Sequence, residues 1–518
     1  MVAAMQSQRS RSSREERKAS PADRRTLVVG LGATGLAAAR YLIGLGERVL
    51  VVDSRPNPPC LEALRSEHPR VPIELGTLDP KWLAGASRVV WSPGLGADIP
   101  LAVEARRRGI ELVSDIELFA RAANAPVLAV TGSNGKSTVT TLTAHMLAAA
   151  GFNAPAGGNL GPPALDLLAT AGAAGTGPGD PAGTGPGDRG LGAGPGHPGS
   201  ADAGDAAELA GSRAPRAGRC GPDAYVLEVS SFQMETTESL RPLAAAVLNV
   251  SADHLDRHGD IEHYASLKAK LLGAADYAVF NRDDPLVRPV GERCARPIPF
   301  STQTRLERGY SVIETAGGWW LARDGSPLVA VAELSLRGLH NEANALAALA
   351  LTVTFLEAEG APADALEAAI GALRRFEGLP HRCRPVGVHD GVEYIDDSKG
   401  TNVGATLAAL AGFSGPLILI AGGLGKGADF APLAEAARGK VKAAVLIGAA
   451  APEIEAALRG VCPTRTEADM GKAVRTAAAL AAPGDIVLLS PACASLDMFS
   501  DYKHRGEAFA AAVRELPG

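Results

Sequence analysis

The chain has 518 residues, 46% of them hydrophobic and 21% charged, with a net charge of −6. That length is too great for one core and points to about three domains; the mild acidity argues against a general nucleic-acid footprint, and no unbroken apolar run reaches the roughly 18 residues of a membrane span. Six scattered cysteines (Cys60, Cys220, Cys294, Cys383, Cys462, Cys493) lack metal-ligand spacing and suit a reduced cytoplasm.

Residues 1–24 are rich in arginine but lack the apolar stretch and cleavage site of a secretory signal, so a disordered, locally basic tail is expected. TLVVGLGATG (26–35) then runs a strand into a glycine turn, followed by a helix and a second strand ending on Asp53. This is a dinucleotide-type fingerprint, with a phosphate at a helix N-terminus and a carboxylate near a ribose hydroxyl. Any nucleotide diphosphate could use it. VVWSPGL (89–95) adds a Ser-Pro-Gly turn at the same kind of strand end, which spacing alone does not distinguish from an ordinary turn.

AVTGSNGKSTVTTL (129–142) joins a strand to a helix through a phosphate-loop pattern whose first glycine is replaced by Val130. Gly132 and Gly135 still let backbone amides face an anion, Lys136 supplies a point charge and Ser137 a magnesium ligand. From about 170 to 222, glycine, alanine and proline dominate and AGTGPGD occurs twice, so a disordered insertion in a loop is expected.

Downstream, GGNLG (157–161) and YVLEVSSFQ (225–233) bring a flexible turn and Glu228, a carboxylate at a strand end where a metal ligand belongs. LNVSADHLDRH (248–258) carries His254 with neighbouring aspartates; His254 and His258 have the spacing of a zinc pair without its glutamate, which favours a magnesium neighbourhood. In HYASLKAKLLGAAD, Lys268 and Lys270 read as exposed helix lysines, and spacing does not raise one above the other. The last third alternates strands and helices, with His340, Asn341 and Asn344 at one helix start, a hinge at EGLPHRCRP (377–385), and Lys399 and Lys426 in two strand-end turns. Two cations aimed at one crevice suggest a dianionic substrate.

Together, GLGATG, SPG, TGSNGKST, LEVSSFQ, DDSKGTN, GGLGKGADF and SPACASLDMF resemble the Mur ligases, ATP-dependent amide-forming enzymes whose ATP loop typically lacks the first glycine. The resemblance covers roughly residues 25–515 and implies an α/β protein of three domains. They are a Rossmann-like UDP-substrate domain (25–120), a central P-loop-type ATPase domain with a mostly parallel sheet (121–378) and a Rossmann-like amino-acid domain (379–518). Within the family the motifs look like the member that adds D-glutamate to UDP-N-acetylmuramoyl-L-alanine through an acyl phosphate, in peptidoglycan precursor synthesis.

The resemblance further implies that Gly32, Ala33, Thr34, Asp53, Ser54, Arg55, Ser92, Gly94 and Asn159 hold the UDP-sugar. ATP would lie on Gly132, Ser133, Asn134, Gly135, Lys136, Ser137 and Thr138, with Asn341, Asn344, Arg382 and Asp397. Magnesium would take Ser137, Glu228, His254 and Lys268, the last as a carbamate, so that Lys136, His254 and Lys268 become catalytic. Lys399, Thr401, Lys426, Ser495 and Tyr502 would surround D-glutamate; Tyr502 stands where relatives often have phenylalanine, and Arg384 where they usually have glutamate. A cytoplasmic, monomeric enzyme with small-molecule substrates is expected, without nucleic acid or membrane insertion. A folate polyglutamate ligase, a dehydrogenase and a P-loop switch are the alternatives; each leaves part of the motif set without a role.

Overall fold

The structure, a computed structural model, describes residues 24–96, 98–173, 221–251, 253–336, 338–413 and 415–516. The expected tail and nearly all of the expected insertion lie outside them. The described residues divide into two compact units, one drawn from Met1–Ala122, Pro163–Ala169 and Glu235–Ser239, the other from Ala123–Pro162, Thr170–Met234 and Leu240–Gly518.

In the first unit, β1 (Arg25–Val29), β2 (Val49–Asp53), β3 (Ile73–Leu75), β4 (Ala86–Trp91) and β5 (Glu111–Val113) form a parallel sheet ordered β3-β2-β1-β4-β5. The order reverses at β1, and the turns after β1 and β4 meet at that switch point, where open α/β sheets bind ligands. The glycines explain how closely they meet: a Cβ on Gly30 would lie 2.7 Å from Ser92 Cβ, and one on Gly35 would lie 1.8 Å from the Gly30 carbonyl oxygen. A side chain at Gly30 would push the two turns apart, and one at Gly35 would push the helix off the turn after β1.

The second unit contains two sheets. The larger uses β6 (Val127–Thr131), β7 (Ala156–Gly158), β8 (Tyr225–Glu228), β9 (Ala244–Val247), β10 (Tyr277–Asn281), β11 (Pro297–Ser301), β12 (Tyr310–Thr315), β13 (Gly318–Arg323) and β14 (Ser326–Ala330). Their order is β14-β13-β12-β11-β10-β9-β6-β8-β7, parallel except for the β12-β13-β14 meander. Central β6 is mostly apolar and wholly buried, so its carboxyl end delivers the phosphate-loop motif into the middle of the sheet edge. The helices Lys136–Ala149, Leu339–Ala358 and Ala363–Arg375 share the core against it, including Leu142, Met146, Leu349 and Ile370.

The smaller sheet uses β15 (Arg384–His389), β16 (Val392–Asp396), β17 (Leu417–Gly422), β18 (Val441–Ile447), β19 (Thr464–Thr466) and β20 (Ile486–Leu489), in the order β15-β16-β20-β17-β18-β19. All neighbours are parallel except β15 and β16. Separate apolar clusters cover its two faces, as a parallel sheet requires. The turns carrying Asp397–Thr401, Gly423–Lys426 and Ser490–Ser495 therefore leave the same sheet edge. Among the described residues, no helix is long and apolar enough to cross a membrane.

Candidate active site

In the first unit, Gly32 starts the helix Ala33–Gly44, and Ala33 and Thr34 form its first turn. Asp53 does not stand free beside this turn. It is 2% exposed; its carboxylate accepts from Leu31 N at 2.7 Å, Arg55 N at 2.8 Å and the Arg55 guanidinium at 2.9 and 2.7 Å. Burial works against its charge, but the bonds from Arg55 and Leu31 outweigh it and bring the group down to about 2. The fingerprint carboxylate thus braces the glycine turn, and Arg55 is the more exposed partner. Ser54 and Gly94 are both exposed in the neighbouring turns. Asn159 belongs to the other unit.

The phosphate-loop motif is bolted to the loop after β9. Asn134 N donates to Asn249 Oδ1 at 2.8 Å and Asn249 Nδ2 returns a bond to the Asn134 carbonyl at 3.0 Å. Ser251 N donates to Ser133 Oγ at 3.0 Å. Gly135 adopts φ 85° and caps the helix Lys136–Ala149; a Cβ there would lie 2.3 Å from Asn344 Oδ1, so glycine answers both a left-handed turn and a crowded wall. Asn249 and Ser251 were not singled out by sequence, although their strand-end position in LNVS was the available signal.

Lys136 Nζ donates to the Gly132 and Ser133 carbonyls, each at 2.9 Å. Lys268 departs from its expected place on a solvated helix face. It is 1% exposed, donates to the same Gly132 carbonyl at 2.9 Å and lies 4.3 Å over the Tyr264 ring. Burial, then the neighbouring Lys136 charge, pull its amine well below the ordinary lysine value. Lys270 is half-buried with its Nζ 3.5 Å from the Met234 carbonyl, so the two lysines are not equivalent.

Glu228, 2% exposed, accepts from Asn159 Nδ2 at 2.7 Å through Oε1, while its buried Oε2 has no hydrogen-bond partner. An orphaned, buried carboxylate oxygen suits a divalent cation. Ser137 Oγ currently accepts from Arg382 Nη2 at 2.8 Å. His254, at φ 55°, is more exposed, with Nε2 3.7 Å from Asp253 Oδ2 and its ring against Phe232. His258 is buried, its Nε2 3.1 Å from Ser231 Oγ. Among the described residues, no three His, Cys, Asp or Glu side chains form a metal-sized group, so the expected magnesium set depends on the Ser137 hydroxyl and on a carboxylated Lys268.

A cleft of roughly 510 Å³ opens beside the loop, lined by Asn134, Gly135, Thr138, Asn341, Asn344, Arg382, Asp397 and Lys399. It also takes in Asn281, Asp283 and Gln303, which sequence did not single out. Asn344 Nδ2 donates to Asn341 Oδ1 at 3.1 Å. Burial pushes Asp397 up to about 7, although Ser490 Oγ donates to it at 2.7 Å and Arg382 is near. Burial and the Arg382 charge bring Lys399 down to about 8, and its Nζ lies 3.8 Å over the Tyr502 ring. Thr401 is half-buried and Ser495 buried, while Lys426 is exposed at φ 50° and does not line the cleft.

Arg505, fully buried, ties these turns together by donating to Ser398 Oγ, the Ser398 carbonyl and the Cys493 carbonyl at 3.0, 2.8 and 3.0 Å. Nothing in YKHRG distinguished it from a surface arginine.

Three family models match in chain order: the Mur ligase MurD-like N-terminal domain over residues 24–114, the Mur ligase middle domain over 208–352, and the Mur ligase glutamate ligase domain over 381–493. A Marinobacter nauticus protein named UDP-N-acetylmuramoylalanine–D-glutamate ligase is 43% identical over 497 residues, covering 95% of this chain and 99% of its own. The chain belongs to the Mur ligase family. A Methylococcus capsulatus protein of the same name is 43% identical over 492 residues, covering 95% of each chain. The fold is shared with the solved UDP-N-acetylmuramate-alanine ligase of Thermotoga maritima at a TM-score of 0.55 and 17% identity, covering 95% of this Mur ligase and 99% of that chain. The three sheets described above are thus the three-domain α/β fold of an ATP-using ligase family.

Proposed function

We propose that this Mur ligase joins D-glutamate to UDP-N-acetylmuramoyl-L-alanine at the expense of ATP, a step in peptidoglycan precursor synthesis, as a cytoplasmic monomer. The observation that carries the reading is the single cleft shared by the ATP loop, Arg382 and the Lys399 turn. A dehydrogenase or a nucleotide switch needs no amino-acid site facing its triphosphate loop. The names of the near-full-length relatives support the choice of substrates, and they weigh against the folate ligase alternative.

The residues divide the work as follows. Gly32, Ala33, Thr34, Asp53, Ser54, Arg55, Ser92 and Gly94 hold the UDP-substrate. Asn341, Asn344 and Asp397 hold the nucleoside, and the amides of Gly132–Thr138 its phosphates. Magnesium, held by Ser137, Glu228, His254 and the carbamate of Lys268, would offset triphosphate charge. Lys136 leaves its loop carbonyls for the β/γ-phosphates, and Arg382 leaves Ser137 for the same anion. The alanyl carboxylate then attacks the γ-phosphorus, ADP departs, and an acyl phosphate remains. Lys399, Thr401, Lys426, Ser495 and Tyr502 hold D-glutamate so that its amine attacks the acyl carbon; phosphate leaves and the amine gives up its proton. Closure around the cleft keeps water from the acyl phosphate.

Phosphate release with UDP-N-acetylmuramoyl-L-alanine and ATP, with D-glutamate, L-glutamate, L-alanine or lysine in turn, tests the reading. Release with D-glutamate alone is expected; release with another amino acid, or none, rejects it.

A further inference from the structure

The helix Val403–Gly412 follows directly on the Lys399–Thr401 turn, and its N-cap is Asn402. The side chain performs two tasks with its two ends. Oδ1 accepts from Ala405 N at 2.8 Å, which is the ordinary capping bond. Nδ2 points away from the helix and donates to Asp253 Oδ2 at 3.1 Å, with Asn134 Oδ1 at 3.5 Å. Asn134 is itself fixed by the paired bonds to Asn249.

Several residue types can cap a helix, but only an amide supplies an acceptor for the cap and a donor for a second partner. Aspartate would cap equally well and would set a second carboxylate against Asp253. The first helical turn also sits tightly on the same loop, since a Cβ on Gly404 would come within 2.8 Å of Ser251 Oγ. Both observations place the start of the amino-acid turn's helix in register with the ATP loop.

We propose that Asn402 is a positioning residue that sets the amino-acid turn against the ATP loop, through Asp253 and Asn134, and so governs the amine's approach to the acyl phosphate. The proposal rests on the D-glutamate ligase reading. It touches neither substrate, so its effect falls on turnover: misplacement of reacting groups by about 1 Å can cost about 100-fold in rate.

The test uses the full chain with Asn402→Asp and Asn402→Ser, both of which keep a capping oxygen, and the double variant Asn402→Asp with Asp253→Asn, which rebuilds the bond with donor and acceptor exchanged. Expected are melting temperatures close to that of the unmodified protein, a kcat lowered about 10- to 100-fold in both single variants, and KM values for ATP and D-glutamate changed far less. The double variant should recover about tenfold over Asn402→Asp. Unchanged kcat, a loss confined to KM, or a double variant no better than Asn402→Asp would overturn the proposal. Failure of the unmodified protein to use D-glutamate would instead reject the underlying function, and is read before any variant.

Discussion

Replacing Lys268 by alanine should nearly abolish ligation, and the reason lies in its pairing with Lys136. Both amines sit 2.9 Å from the Gly132 carbonyl oxygen, so they can be separated by no more than about 6 Å. Two ammonium groups that close repel by roughly 3 kcal/mol at an effective dielectric of about 20. Burial of Lys268 acts in the same direction. Both effects favour the neutral amine of Lys268, which is the form that adds carbon dioxide and releases a proton to become a carbamate. The product is an anion, so repulsion of Lys136 becomes attraction and a negative group stands beside the orphaned Glu228 oxygen. Loss of such a group should cost about 100-fold or more in kcat. Acetate should restore part of the activity by occupying the vacated position, and Lys270→Ala should stay within about threefold of the unmodified enzyme. Steady-state phosphate release measures the rates, and carbon-13 NMR after exchange with labelled bicarbonate should show a carbamate signal that disappears in Lys268→Ala. Equal, mild losses at Lys268 and Lys270 without acetate rescue, or a carbamate signal that survives Lys268→Ala, would refute the reasoning.

Lys136→Ala should lower ligation by about 1,000-fold through loss of phosphoryl charge stabilisation, while calorimetry finds the UDP-substrate bound as before. The KM for D-glutamate should rise as pH increases through about 8, where Lys399 loses the proton that binds a carboxylate, and Lys399→Arg should move that rise to higher pH. Asp397 holds its proton to about 7 when folded and releases it near 3.8 when unfolded. Its contribution to stability is therefore full below 3.8 and lost as pH rises through 7. Asp397→Asn should accordingly melt higher than the unmodified protein at pH 8 and show little advantage at pH 4, as read by calorimetry.

The parts legible in the sequence were those fixed by short spacing. A strand, a glycine turn and a helix are contiguous in TGSNGKST, and the strand-end motifs of the last third are likewise local. Lys268 was harder because its environment comes from residues more than a hundred positions away. A signal was nevertheless present: Tyr264, Lys268 and Leu271 follow helical spacing and are all buried, so Lys268 occupied a core position that Lys270 did not. The fingerprint fixes the position of Asp53 but says nothing about the bonds that Arg55, two residues on, makes to its carboxylate. The β12-β13-β14 meander was also missed, although Ala316-Gly317 and Asp324-Gly325 are two-residue hairpin turns. Arg505 could not be recognised at all, since its partners are backbone groups and a serine contributed by other turns.

The central claim, that the alanyl carboxylate is activated as an acyl phosphate and captured by D-glutamate, is tested most directly by oxygen-18 transfer. UDP-N-acetylmuramoyl-L-alanine labelled in its carboxylate is turned over with ATP and D-glutamate, and the released phosphate is analysed by mass spectrometry. The account predicts one labelled oxygen in each phosphate and one amide formed per ADP; unlabelled phosphate, or ADP formed without amide, would contradict it.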